Sequence, residues 1–275
     1  MSVGRLVLIL ICARALAAQD TPPAPQPSAP AGASAPRIIE NTGKPLALPL
    51  ECAEEDLRAA GLACSEDEPC AMYLEITNLE GLGNKLVAVG NVHSSSVTVN
   101  SILLVSDDAG RTWREAFERL RGATLDRIQL LDAENGWVPG QLMTPLPQEP
   151  FVLVTSDGGK TWRRRGILTE GAENRVGSIQ QYFFTSKDSG SLILDRGAGS
   201  DSDRYELYDS QDGGDSWTIK ETNQKPLRLK RPPAISTEWR VRADGASQSF
   251  HLEHRQGDRW TSMAAFLVKL GVCKP

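Results

Sequence analysis

The sequence has few of the residues on which most catalytic and metal sites depend. It contains three histidines, His93, His251 and His254, and no G-x-S-x-G segment, so hydrolysis by an activated serine is not expected. His251 and His254 are three residues apart in a strand-like segment, where they point to opposite faces and do not form a metal pair. Lys and Arg number 30 against 35 Asp and Glu, a net charge of −5, which disfavours nucleic acid as a partner.

Long apolar runs are also missing, apart from a short one at the start of the chain. Arg5 precedes an apolar stretch over residues 6–13, and Ala-Leu-Ala at 15–17 fits a signal-peptide cleavage pattern. The stretch is shorter than the roughly 20 residues that a membrane span needs, although a retained anchor is the alternative. We predict a signal peptide at 1–18, a disordered Pro/Ala-rich linker at 19–36, and a secreted or periplasmic (cell-envelope) protein.

Four cysteines follow Cys12 of the predicted signal: Cys52, Cys64, Cys70 and Cys273. Their spacing does not fit the close cysteine pairs of zinc sites, and an even number in an exported chain predicts two disulfides with three possible connectivities. We expect Cys273 to bond to one of the other three and so to join the two ends of the domain. We favour Cys52 with Cys64 and Cys70 with Cys273, around a short helix at 53–60.

Aromatic residues make up 6% of the chain, yet 6 of them are Trp, and three of these end copies of one motif. Segments 106–113, 155–162 and 210–217 read SDDAGRTW, TSDGGKTW and SQDGGDSW, with the common form [ST]-x-D-x-G-x-[ST]-W. Segment 253–260 is interpreted as a degraded fourth copy. Such self-similarity at a period near 50 residues is typical of repeat folds.

The residue types of the motif predict a structural hairpin turn. Asp folds back onto turn amides, Gly supplies a positive φ, the hydroxyl bridges the same loop, and Trp buries a large ring where the strand re-enters the sheet. For Asp107, Asp157 and Asp212 we expect this amide-capping role. The structural motif residues are predicted to be Ser106, Asp108, Gly110, Thr112, Trp113, Thr155, Asp157, Gly159, Thr161, Trp162, Ser210, Asp212, Gly214, Ser216 and Trp217.

Each motif lies between strand-like runs, and two further apolar runs precede it. One unit of about 50 residues therefore reads as four short antiparallel strands. In the third unit we expect Tyr205 and Leu207 to face one side and Glu206 and Tyr208 the other. The fold class predicted for residues 37–275 is all-β, a small β-propeller of four four-stranded antiparallel blades.

The three turns resemble the Asp-box, or BNR repeat, of sialidases, sortilin-type receptors and photosystem II assembly and stability factor-like propellers. Segment 136–140, GWVPG, is similar to the G-W-x-x-G stretch of the assembly-factor group. The resemblance covers residues 71–262 and implies turns at the periphery of a propeller, away from any catalytic centre. It implies an exported, non-enzymatic scaffold or protein-binding module. The alternative is a carbohydrate-active protein, either a sialidase-like glycosidase or a glycan-binding protein.

Sialidase chemistry finds little support in the residues. Arg37 and Ile38 follow Pro36 in the wrong order for the R-I-P motif of that family, and Tyr205 and Glu206 are strand neighbours that face opposite ways. Convergent arginines and carboxylates in the central channel would favour the enzyme, and an apolar or mixed lining the binding module.

The remaining candidate features are an acidic loop and a basic cluster. The loop at 209–220 ends on Lys220, where a calcium-binding EF-hand needs Glu, so no metal and no cofactor are predicted. Arg163, Arg164 and Arg165 are interpreted as a solvated sheet surface, with a docking patch for an acidic partner or anionic lipid as the functional alternative. Another protein is the expected partner, a glycan the alternative, and a membrane surface a weaker one.

Overall fold

A computed structural model describes residues 37–143, 149–168, 176–198, 203–230 and 238–274. The predicted signal peptide and linker lie outside these residues. The described chain folds almost entirely into antiparallel strands, which confirms the all-β class. One short helix, α1 (Glu54–Ala59), lies within the predicted helical segment. No helix in the described part of the chain is long and apolar enough to cross a membrane.

Sheet 1 contains strands from both ends of the domain. Its order is β1-β5-β4-β3-β2-β18, so the last strand pairs with the edge of the first long hairpin. The strands are β1 (Ile38–Glu40), β2 (Cys70–Leu82), β3 (Lys85–His93), β4 (Thr98–Ser106), β5 (Thr112–Glu115) and β18 (Lys269–Cys273).

The other three sheets follow one another along the chain. Sheet 2 has the order β10-β9-β8-β6, with β7 also paired to β8, and sheets 3 and 4 have the orders β11-β12-β13-β14 and β15-β16-β17. The strands are β6 (Ala123–Leu125), β7 (Gln129–Leu130), β8 (Gly136–Leu142), β9 (Glu149–Thr155), β10 (Arg163–Gly166), β11 (Ser178–Phe184), β12 (Gly190–Asp195), β13 (Tyr205–Ser210), β14 (Thr218–Asn223), β15 (Trp239–Asp244), β16 (Ser249–Gln256) and β17 (Arg259–Leu267).

The sheets stack face to face in the order 4, 1, 2, 3. In β3, Leu86 and Ala88 face a core shared with sheet 4, whereas Val87 and Val89 face a core shared with sheet 2. This double burial explains why β3 is an almost continuous apolar run. A third core joins sheets 2 and 3. Among the described residues no hydrophobic core joins sheet 3 to sheet 4.

The expected disulfide between Cys273 and the start of the domain is confirmed, but its partner differs from the favoured one. The structure contains Cys52–Cys273 and Cys64–Cys70, so the pairing of Cys52 with Cys64 and of Cys70 with Cys273 is wrong. Leu57 of α1 is buried in one hydrophobic cluster with Cys273 of β18. The helix therefore packs beside β18, and this places Cys52, two residues before the helix, next to Cys273. The chain after the helix then closes a short loop onto Cys70. Two disulfides are typical of exported proteins.

Segment 253–260, interpreted as a degraded fourth copy of the motif, forms the hairpin between β16 and β17 of sheet 4. In sheets 1, 2 and 3 the motif joins β4 to β5, β9 to β10 and β13 to β14. The predicted alternation in β13 is confirmed: Glu206 and Tyr208 are buried, while Tyr205 and Leu207 are half-buried on the opposite face.

Candidate functional site

The three motif copies form nearly identical hydrogen-bonded turns, named here turn 1 (106–113), turn 2 (155–162) and turn 3 (210–217). In turn 2 the Thr155 hydroxyl accepts from the amide of Gly159 at 2.9 Å and donates to Asp157 at 2.9 Å. Asp157 also accepts from the amide of Thr161 at 3.0 Å and from its hydroxyl at 2.6 Å. Turns 1 and 3 repeat these bonds. The local sequence therefore closes each turn without help from the rest of the fold.

The capping aspartate of turn 1 is Asp108, and the expectation that Asp107 has this role is wrong. Asp107 instead forms ion pairs with Lys85 and Arg114. Partial burial acts to raise the pKa of the capping carboxyls, but their hydrogen bonds from turn amides and hydroxyls outweigh it, so the pKa of Asp108, Asp157 and Asp212 lies below the usual value. Carboxylates held in this way are poor proton donors.

Each motif Trp occupies a different core between two sheets. Trp113 packs in the core of sheets 4 and 1, Trp162 in that of sheets 1 and 2, and Trp217 in that of sheets 2 and 3. The turns thus lie at one end of the stack, with their rings between neighbouring sheets.

The three consecutive arginines of β10 have contacts within the protein. Arg165 donates to Asp215 of turn 3 at 2.6 Å, Arg163 lies 3.9 Å from the same carboxylate, and Arg164 lies over the ring of Phe151. The side chains of Arg163 and Arg165 remain 50% and 35% exposed. The docking patch stays a hypothesis, and a partner would have to compete with Asp215.

Tyr205 and Glu206 do not form a nucleophile pair in this structure. Glu206 is buried and accepts a 2.7 Å hydrogen bond from Tyr208, with Arg196 at 3.6 Å. Burial and the neighbouring carboxylate raise the pKa of Tyr208 far above its ordinary value. His251 bonds Ser262, and His254 stacks on Trp239, so the two histidines do not converge.

A polar cavity of about 340 Å³ lies between sheets 2 and 3. Ser178 and Ile179 at the start of β11 contribute to it, whereas Phe184 at the other end of β11 packs on Trp217 of turn 3. The six-residue separation along a strand corresponds to about 20 Å, so the cavity and the turns lie at opposite ends of the stack. The lining comprises Asp126, Arg127, Pro139, Gly140, Gln141, Ser178, Ile179 and Tyr182.

The carboxyl of Asp126, which lines this cavity, has a pKa above its ordinary value. It is open to solvent on one side, yet the surrounding protein raises its pKa. The charge of Glu75 on β2 of sheet 1 raises it further, and that of Arg127 lowers it in part. One carboxyl and one arginine, Asp126 and Arg127, thus line the cavity together with a buried tyrosine, Tyr182. The group can hold hydroxyl-rich ligands and donate a proton.

Close backbone packing shapes the wall of the cavity. A Cβ atom on Gly140 would lie 2.5 Å from the ring of Phe151 and 2.7 Å from the carbonyl oxygen of Thr124. Gln129 links the two sheets nearby, because its side-chain amide bonds both the backbone N–H and the C=O of Phe184, at 2.9 and 2.7 Å. Strands β7 and β11 are therefore held at a fixed separation.

The sequence analysis did not single out Asp126, Gln141 or Tyr182. One signal was available: Asp126 and Arg127 interrupt the apolar run 125–131 with two adjacent charges. Gln141 and Tyr182 look like ordinary strand residues in the sequence, and only the packing of sheet 2 on sheet 3 brings their side chains to the cavity.

No protein-family model and no curated protein matches the chain. A solved GH74 xyloglucanase from Xanthomonas campestris is 18% identical with a TM-score of 0.35, covering 48% of this chain and 18% of its own. A Penicillium chrysogenum alpha-L-arabinanase complexed with arabinobiose is 13% identical with a TM-score of 0.36, covering 83% and 66%. A protein of unknown function from Dyadobacter fermentans is 10% identical with a TM-score of 0.25, covering 70% and 77%.

These neighbours correct one expectation and leave another without support. Two of them are named as enzymes, a xyloglucanase and an arabinanase, which contradicts the prediction that this chain is not an enzyme. That prediction is withdrawn. The chain spans less than two thirds of either enzyme, and the absence of a family match leaves the resemblance to photosystem II assembly factors unsupported.

Proposed function

We propose that the protein is an exported, carbohydrate-active β-propeller whose four sheets are its blades. Its proposed sugar site is the cavity between sheets 2 and 3. The observation that carries this proposal is the convergence of Asp126, Arg127, Gln141 and Tyr182 on one cavity between sheets 2 and 3. This cavity would face the central channel of a propeller, where convergent charges distinguish a carbohydrate-active protein from a binding scaffold.

The chemistry of the lining suits a glycan. Sugar hydroxyls need both donors and acceptors, which the carboxyl, amide, guanidinium and phenol groups supply. A volume of about 340 Å³ falls in the range of small-ligand sites. In this proposal Asp126 donates a proton to the glycosidic oxygen as the bond from that oxygen to the anomeric carbon breaks, because its raised pKa keeps the carboxyl protonated to higher pH than an ordinary aspartate. A water molecule adds to the anomeric carbon and releases a proton to solvent, from which Asp126 is protonated again.

Among the described lining residues Arg127 is the single arginine, whereas sialidases bind the sugar carboxylate with three. The proposed glycan is therefore neutral rather than a sialoside. In the same proposal the motif residues stabilise the turns and take no part in chemistry, and residues 1–18 and 19–36 serve as export signal and linker.

The test is a hydrolysis and binding assay of the mature protein against a panel of neutral polysaccharides and oligosaccharides. Asp126→Asn should reduce released reducing ends by about 10²–10⁴-fold, the range of a general acid, while oligosaccharide binding persists. Asp258→Asn, at a fully exposed hairpin position, is the matched control and should leave both unchanged. Absence of binding and hydrolysis across the panel overturns the proposal. If an oligosaccharide binds but neither the wild type nor Asp126→Asn hydrolyses it, the acid role of Asp126 is overturned.

A further inference from the structure

The stack contains two equivalent clefts at the end where the turns lie, one between sheets 1 and 2 and one between sheets 2 and 3. Their equivalence follows from a repeated backbone bond. The amide of Gly158 in turn 2 donates to Glu134, and that of Ala109 in turn 1 donates to Asn84, each in the first tight turn of the same sheet. Lys85 therefore corresponds to Asn135.

The first cleft is filled by an internal ion pair. The Lys85 ammonium bonds the Asp107 carboxylate and, at 2.5 Å, the carbonyl oxygen of Gly158. Arg114 lies 3.6 Å from Asp107 and donates to Gly159 at 3.0 Å. The space that remains is too small for a water molecule. An ammonium and a carboxylate from the chain itself thus close this cleft.

The second cleft lacks both charges and is open. Asn135 stands where Lys85 stands in the first cleft, and Ser156 stands where Asp107 stands. The result is a cavity of about 330 Å³. Arg163 takes the place of Arg114 and lies 3.9 Å from the Asp215 carboxylate. An arginine that meets a carboxylate directly in one cleft faces a neutral serine in the other.

We propose that the second cleft binds a small zwitterion of the amino-acid or dipeptide class, whose carboxylate occupies the place that Asp107 holds in the first cleft. The carbonyl of Gly213, which corresponds to the Lys85 acceptor Gly158, already accepts from the Trp137 indole at 2.8 Å, so the ammonium lies elsewhere. The carboxylate would lie against Arg163 and the Ser156 hydroxyl. The ammonium would lie toward Glu134 and Asp188, which also line the cavity.

The charge balance of the lining favours a zwitterion over an ion of one sign. Arg163 and Lys187 are cationic, and Glu134, Asp188 and Asp212 are anionic. Asp212 is already held by the hydroxyls of turn 3, at 2.8 Å from Ser210 and 2.5 Å from Ser216. A ligand with a single charge would meet attraction from one group and repulsion from the other, whereas a zwitterion can satisfy both.

This site is independent of the proposed sugar cavity. The cleft lies at the end of sheets 2 and 3 where the turns are, and the two cavities have no lining residue in common. Loss of binding in one leaves the other testable.

The experiment titrates the mature protein with L-alanine and glycylglycine, and with acetate and ethylammonium as single-charge controls, by calorimetry. We expect saturable binding of a zwitterion at millimolar concentrations and weaker binding of both controls. Arg163→Gln should weaken binding by about tenfold or more, as expected for a lost charge-assisted hydrogen bond. Arg164→Gln is the matched control, because the Arg164 side chain lies over the ring of Phe151 and does not line the cleft.

A second variant tests occupation of the carboxylate position directly. Ser156→Asp places a protein carboxylate beside Arg163, as Asp107 lies beside Arg114, and should abolish binding while thermal stability is kept or increased. Ser156 is exposed, so this variant is expected to fold. The proposal is overturned if neither zwitterion binds, if acetate or ethylammonium binds as tightly, or if Arg163→Gln and Ser156→Asp leave affinity unchanged.

Discussion

The capping aspartate of turn 2 offers the sharpest stability test of the fold. Asp157→Ala removes the acceptor for three hydrogen bonds, from Thr155 at 2.9 Å and from the amide and hydroxyl of Thr161 at 3.0 and 2.6 Å. Thr161 is exposed, so water replaces part of what is lost. Orphaned donors cost about 1–3 kcal/mol. We therefore expect the free energy of unfolding to fall by about that amount.

The assay is thermal unfolding followed by circular dichroism, with Asp258→Ala as an exposed control. In a domain of this size 1 kcal/mol corresponds to about 2–4 °C in Tm, so Asp157→Ala should melt several degrees below wild type. The reasoning is refuted if Asp157→Ala melts with the wild type, or if Asp258→Ala shows an equal loss.

The pH dependence of this difference has a defined sign. Because the pKa of Asp157 in the folded protein lies below its value in the unfolded chain, near 3.9 on average, the carboxylate stabilises the fold above that pH. The stabilisation is lost as pH falls through the folded pKa. The Tm gap between wild type and Asp157→Ala should be full at neutral pH and should narrow below about pH 4. A gap independent of pH contradicts the charge-assisted role.

Three further changes are expected to act through other parts of the fold. Cys52→Ser opens a disulfide that spans 221 residues and should lower the free energy of unfolding by about 5 kcal/mol on the chain-entropy model, whereas Cys64→Ser opens one that spans 6 residues and should lower it by about 2 kcal/mol. Unfolding in denaturant will rank the two variants, and an equal loss would contradict the model. Tyr208 should resist ionisation in an ultraviolet titration, because its pKa is raised in the folded protein. The stability that it provides is therefore present below about pH 10 and declines as pH rises further. Ordinary titration of every tyrosine would contradict the buried hydrogen bond from Tyr208 to Glu206. Gly140→Ala places a methyl group 2.5 Å from the ring of Phe151 and should lower Tm and weaken ligand binding in the cavity, whereas unchanged melting would contradict the close packing of that wall.

The parts of the fold that the sequence predicted correctly depend on local interactions. A motif such as 155–162 carries its own hydrogen-bond partners within eight residues, so its turn can be derived from residue types. The alternation in β13 likewise follows from strand geometry, since successive side chains point to opposite faces. Helix α1 occurs where a short polar-apolar segment lies between two cysteines.

The parts that failed depend on distant packing. Cys70 and Cys273 do lie opposite each other in strands β2 and β18, as a closing bridge requires, but the helix carries Cys52 to Cys273 and leaves Cys70 for Cys64. The spacing of the cysteines contains no information on where α1 packs. By contrast, Asp108 is the residue that aligns with Asp157 and Asp212 at the third position of the motif, so the expectation for Asp107 failed on the local alignment and not on distant packing.

The stacking order explains why both proposed sites lie between sheets 2 and 3. Sheet 4 presents to its outer side a charged network, in which Arg240 and Arg242 both bond the buried carboxylate of Glu253, at 2.6 and 2.8 Å. Removing this network from water would cost more than burying an apolar face, so sheet 4 is poorly suited to a second apolar core. Sheets 2 and 3 instead share a continuous core in which Trp137 stacks on Phe184 at 3.9 Å. A rigid apolar interface with polar cavities at its two ends can hold ligand-binding side chains in fixed positions, which a charged and solvated border cannot do.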